Sequence, residues 1–212
     1  MWWTGAMLEN RDQLDVRVPT PVRERLRPVA EALGRRGLVL LCGFPASGKS
    51  TAAAYLRALC GAVVLDKDRF VPLLEEQVME QLTGDRNDRD SDTYRTLISP
   101  GLYEGLIRTG LTAAAAAPVV LDAPFLSTIR NAHAAGRTLS EYVRGYPEAA
   151  RSMPIVTVWL DTPADRIRAR MIARGADRDA PKLAEWEAYR SAVLESGTRE
   201  KACRACDVVI PS

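Results

Sequence analysis

The chain has 212 residues, 47% of them hydrophobic, enough to close one sizeable core and too few for two comfortable domains, so a single domain is expected. A formal net charge of +2 with 26% charged side chains excludes the lopsided field that draws a protein onto nucleic acid or an anionic membrane; any polyanion binding must be local. Four cysteines and one histidine are too sparse for a disulfide framework or a closed zinc site, and no stretch approaches the roughly 18 apolar residues that span a bilayer.

Residues 1–36 open on "MWWTGAML", followed at once by the charged "ENRDQLD". That start lacks the basic residues and long apolar run of a secretory signal, and a cytoplasmic protein is predicted. Pro19, Pro21 and Pro28 punctuate an arginine-rich stretch, predicting an irregular arm and one amphipathic helix packed on a core domain of residues 37–212. The run "LVLLC" (38–42) is continuously apolar, not alternating, as in a strand buried on both faces.

Directly behind it stands "GFPASGKST" (43–51), in which Gly43-x4-Gly48-Lys49-Ser50 fits the P-loop pattern between a strand and a helix-forming segment. Glycine at 43 and 48 lets the backbone fold around an anion. The loop amides, those of Ala46 and Ser47 among them, and the positive helix end then face it. Lys49 is placed to reach the β- and γ-phosphates, the Ser50 hydroxyl to ligate Mg²⁺ and Thr51 to bond the α-phosphate. Pro45 and Ala46 stand where such loops often carry glycine, and alanine at 46 is expected to keep φ below zero.

A helix is expected over 50–60 and a strand over "AVVL" (62–65), which runs into "DKDRF". Asp66 and Asp68, at i and i+2, leave the strand end on one side, where an open parallel sheet presents its ligand crevice. Both can approach Mg²⁺ or an acceptor hydroxyl. Phe70, Leu73, Leu74, Val78 and Leu82 recur near helical spacing over 70–82,. Residues 84–96, "GDRNDRDSDTYRT", are dense in charge and form a solvated loop or a mobile substrate lip. The third strand, "PVVLD" (118–122), ends at Asp122; the fourth is "IVTVWLD" (155–161) and the fifth "DVVI" (207–210). After the fourth, Pro163 opens a helix that sets Arg166, Arg170 and Arg174 along one face, with Arg178 just past Gly175,. Strand–helix alternation predicts an α/β, doubly wound fold with a parallel sheet between two helical layers.

Nucleotide binding alone does not define a reaction. No NKxD-like stretch supplies the base-reading motif of a switch GTPase, and Asp122 is followed by alanine and proline, not by the second acidic residue usual in a motor-type ATPase. With "GFPASGKST" followed by "VVLDKDRF", the chain resembles the P-loop kinases that phosphorylate small molecules or 5′-hydroxyl ends. Adenylylsulfate and gluconate kinases carry a similar LDxD at the second strand end. Chloramphenicol phosphotransferases, zeta toxins and polynucleotide kinases share a single aspartate there. The resemblance covers roughly residues 37–211 and implies a parallel five-stranded sheet with ATP, or GTP, and Mg²⁺. It also implies Asp68 as general base, with Asp66 as its backup or as a metal-shell group beside Ser50. A lid after the fourth strand is implied too, in which Arg170, Arg174 and Arg178 stabilise charge on the transferring phosphoryl together with Lys49.

Acceptor contacts are expected from Asp66, Arg69, Tyr94, Arg95, Tyr103, Asp122, Phe125 and Arg130. A 6% aromatic content without a basic cluster argues for a small hydroxylated acceptor, an antibiotic, nucleoside or sugar, over nucleic acid. A polynucleotide 5′-hydroxyl, a nucleotide sugar and a non-catalytic nucleotide-responsive module stay open as alternatives. Asp68 together with the lid arginines speaks against the last, since a pure sensor needs neither. His133 is expected at the surface or at a helix cap.

Overall fold

The computed structural model describes residues 18–89 and 91–212, the side chain of Arg178 excepted; the expected arm at 1–17 lies outside them. Five strands, β1 (Gly37–Cys42), β2 (Val63–Asp66), β3 (Pro118–Asp122), β4 (Ile155–Asp161) and β5 (Val208–Pro211), pair in parallel in the order β2-β3-β1-β4-β5. The longer helices are α1 (Thr20–Leu33), α2 (Lys49–Cys60), α3 (Pro72–Thr83), α4 (Ser99–Ala114), α5 (Leu126–Ala134), α6 (Ala164–Arg174) and α7 (Thr198–Ala205). Each of these strands falls within one residue of its expected span, and the doubly wound, three-layer arrangement is the one the alternation predicts.

The continuous apolar runs follow from burial on two sides. In β1 every residue is buried. Leu38, Leu40 and Cys42 enter a core shared with Leu106, Ile129, Ile167 and Ala202 of α4, α5, α6 and α7, while Val39 and Leu41 enter a second core with Leu26 and Leu33 of α1 and Leu56 of α2. Each such side chain contributes roughly 1.5–3 kcal/mol of transfer free energy, so the strand cannot slip by one residue without exchanging its two cores.

Strand register also decides which side chains share an edge of the sheet. Leu41 of β1 lies opposite Asp122 of β3, and Asp122 lies opposite Asp66 of β2. The carboxyl ends of three adjacent strands thus meet in one row, about 4.8 Å apart, with the phosphate loop leaving from the first. Beyond β2 the chain makes a one-turn helix, Lys67–Phe70, before α3. A wide π-helical turn, Tyr94–Ile98, leads into α4, so part of the expected lip at 84–96 is ordered against the core through the buried Tyr94.

Candidate functional site

Gly43 and Gly48 hold positive φ, at 154° and 96°. A Cβ on Gly43 would meet Ser47 Oγ at 2.5 Å, so the loop can close only around glycine there. Ala46 also takes a positive φ of 60°, which corrects the expectation of a negative one. The turn from Phe44 to Ser47, closed by the Ser47 amide on the Phe44 carbonyl at 3.1 Å, forces residue 46 into the left-handed region, and alanine bears the strain a glycine would avoid.

Gly48 caps α2, whose first internal bond runs from the Ala52 amide to the Gly48 carbonyl at 3.1 Å; the amides of Lys49, Ser50 and Thr51 head the helix without intrahelical partners. Lys49 is buried and donates from Nζ to the carbonyls of Gly43 at 3.1 Å and Phe44 at 2.9 Å. Burial lowers its pKa from the ordinary lysine value, and the carboxylates of Asp122 and Asp68 act in the opposite sense. Close to Lys49 lies Asp122, a buried carboxylate whose pKa burial raises and the Lys49 charge and the Ser50 hydroxyl lower. No strand separates β3 from β1, so this aspartate comes straight against the loop. Glycines that admit a close anion, open helix amides, a buried lysine and a serine–aspartate pair fit a nucleotide triphosphate and its cation.

Arg170 packs over the loop, donating from Nη1 to the Ser47 carbonyl at 2.8 Å. Arg174 instead forms a double contact with the buried Asp179, Nε and Nη2 each lying 2.8 Å from a carboxylate oxygen. Of the expected lid arginines these two are placed, near the loop and just beyond it; the Arg178 side chain lies outside the described residues. A cavity of about 260 Å³ opens beside the loop, lined in part by Val18, Val22, Thr51, Ala52, Leu160 and Arg170.

The acidic strand end divides its labour. Asp66 caps the one-turn helix, accepting the Asp68 amide at 2.9 Å, and sits 3.8 Å from Arg69 Nε. The Asp68 side chain is 48% exposed and lies 3.6 Å from Lys67 Nζ. Facing this region, Tyr103 and Phe125 meet edge to face at 5.5 Å. Phe125, an expected acceptor contact, is fully buried and stands in the left-handed region at φ 53°, against the Tyr103 phenol. Burial, then the charges of Asp68 and Glu75, push that phenol above its usual range.

The remaining expected acceptor contacts do not converge on this point. Arg69 is exposed, Arg95 pairs with Asp92 at 2.7 Å, and Arg130 reaches toward Thr198 of α7 at 3.5 Å. Tyr94 turns inward to Glu75. Lys67, Glu75 and Arg89, not singled out by their spacing, gather beside Asp68. One signal was available for the first: it is one of four lysines in the chain and stands between two aspartates.

A strand, a glycine-framed loop and a helix that together enclose a lysine define a P-loop nucleotide-binding protein of α/β fold. Residues 38–195 match the family model described as the AAA domain, and the chain belongs to that family. Among solved structures, one similar chain is TT1252 from Thermus thermophilus, 20% identical, with 84% of this chain and 89% of that one covered at a TM-score of 0.45. Another is a "putative fructose transport system kinase" from Silicibacter sp. TM1040, 17% identical, with 88% and 98% covered at a TM-score of 0.49. No curated protein matches the sequence.

Proposed function

We propose that the protein is a kinase that uses ATP and Mg²⁺ to phosphorylate a hydroxyl group of a small molecule. One observation carries this reading: two carboxylates act on the same lysine from different environments. Asp122 is buried, with Lys49 and the Ser50 hydroxyl lowering its pKa, which suits it to the metal side. Asp68 is half exposed on the side of Tyr103 and Phe125, which suits it to the acceptor. A protein that only bound nucleotide would need the first and not the second.

Ser50 and Asp122 would hold the cation, with Asp66 further out along the same row, and bound Mg²⁺ supplies charge neutralisation of the phosphates. Lys49 exchanges its loop carbonyls for the β- and γ-phosphate oxygens, and the cavity beside α1 and α2 takes the base. Asp68 accepts the acceptor's hydroxyl proton as its oxygen bonds to the γ-phosphorus and the bond to the β-phosphate oxygen breaks, leaving ADP. Arg170 and Arg174 stabilise the charge that spreads over the transferring group, Arg174 after leaving Asp179. Positioning and electrostatics supply the rate, because a loose transition state leaves little covalent work to the protein.

Tyr103, half-buried and backed by the fully buried Phe125, favours an acceptor with a ring or an apolar face next to its hydroxyl,. The test is a screen of sugars, nucleosides and hydroxylated antibiotics, with oligonucleotides alongside, using γ-labelled ATP. Label is expected on one small-molecule class with wild-type protein and on none with Lys49→Ala. Label on oligonucleotide ends would move the function to polynucleotide substrates, and label on no acceptor would remove the kinase reading.

A further inference from the structure

Helix α3 is turned against its own composition. It exposes Leu73, Leu74 and Leu82 and buries Glu75 together with Met79. Glu75 is only 4% exposed, and its Oε1 receives three groups: Lys67 Nζ at 2.7 Å, the Tyr94 hydroxyl at 2.5 Å and Arg89 Nε at 3.0 Å. Lys67 is itself buried and reaches Asp68 Oδ1 at 3.6 Å with the same ammonium. Lys67 and Arg89 both lie 5.5 Å from the centre of the Tyr94 ring.

Burying such a set is a poor route to stability, since a buried ion pair is often matched or exceeded by apolar groups of the same size. What the arrangement gives is connection. Arg89 and Tyr94 come from the segment between α3 and α4, the second from a π-helical turn, a geometry frequent at functional sites,. Lys67 comes from the turn that carries Asp68. A single carboxylate therefore ties the expected acceptor lip to the aspartate it would serve.

We propose that Glu75 is a positioning residue for phosphoryl transfer, acting through Lys67 on the Asp68 carboxylate and through Tyr94 and Arg89 on the lip expected at residues 84–96. Lys67 sets its ammonium beside Oδ1 of Asp68 and so orients that carboxylate. Glu75 fixes that ammonium, which would otherwise be drawn wholly onto Asp68 and block it. This rests on Asp68 being the base of the proposed kinase reaction.

The test uses full-length protein in excess over γ-labelled Mg·ATP, with water as the acceptor and single-turnover phosphate release as the readout, beside the Kd for a fluorescent ATP analogue. Glu75→Gln is expected to slow release at least tenfold while the Kd stays within about twofold. The pair Lys67→Met with Glu75→Leu, which keeps the interior filled and uncharged, is expected to hold the Tm near that of wild type and to remain at least tenfold slow. If the pair returns release to within about threefold of wild type, or if either variant loses nucleotide affinity in parallel with rate, the positioning role is wrong. Asp68→Ala separates the two claims: release at the wild-type rate in that variant removes the base assignment itself, and with it the ground for this one.

Discussion

Ala46 shows what a single residue can hold in reserve. Its left-handed backbone costs a non-glycine residue about 1 kcal/mol or more, a cost partly offset because alanine loses less backbone freedom on folding than glycine would. Ala46→Gly is therefore expected to raise stability by roughly 0.5–1 kcal/mol in urea unfolding, with little change in nucleotide affinity, since no side-chain atom of Ala46 is used. Phe125, at φ 53°, is the other strained non-glycine residue among those described. Its strain lies between β3 and α5, where the Tyr103 ring meets it edge to face. Neither position is legible from sequence, because "PAS" and "APF" are compatible with ordinary backbone until the closure of the loop and the packing of Tyr103 are known.

At the scale of elements, strands were legible and helix faces were not. Apolar runs such as "LVLLC" admit one interpretation because both faces of β1 are buried, and the five-stranded parallel sheet is the consequence. The stripe Leu73, Leu74, Val78, Leu82 located α3 but not its inward side, since Lys67, Tyr94 and Arg89 compete for that side through Glu75; long-range ion pairs leave no periodicity. Junctions between elements are similar. Arg199 at the start of α7 clasps Asp161 at the end of β4 through both oxygens at 2.6 Å, and this pairing holds the Asp161 carboxyl below its ordinary value. A depressed pKa gives stability that is present above the unfolded value of 3.8 and lost as the pH falls through the folded one. With Arg199 largely exposed, Arg199→Met is expected to cost about 0.5–1 kcal/mol at neutral pH. The difference from wild type should shrink steadily as the pH is lowered below 3.8, by urea unfolding at neutral and acid pH.

Across the whole molecule, the parallel sheet delivers the ends of β1, β3 and β2 in a row, so that the loop, Asp122 and Asp66 with Asp68 lie in sequence along one edge. The spacing of "GKS" and "LDKD" located the loop after β1 and the end of β2 in the sequence. The place of Asp122 between them needed the strand order, because nothing in the chain says which strand lies beside β1. The central claim is that Asp68 serves the acceptor and not the nucleotide. It is tested most directly by comparing wild type with Asp68→Ala in ATP affinity and in the rate of label transfer to the acceptor found in the screen. A rate at least a hundredfold lower, on the order of general-base catalysis, with affinity within about twofold is the expected result; a transfer rate equal to that of wild type would contradict it.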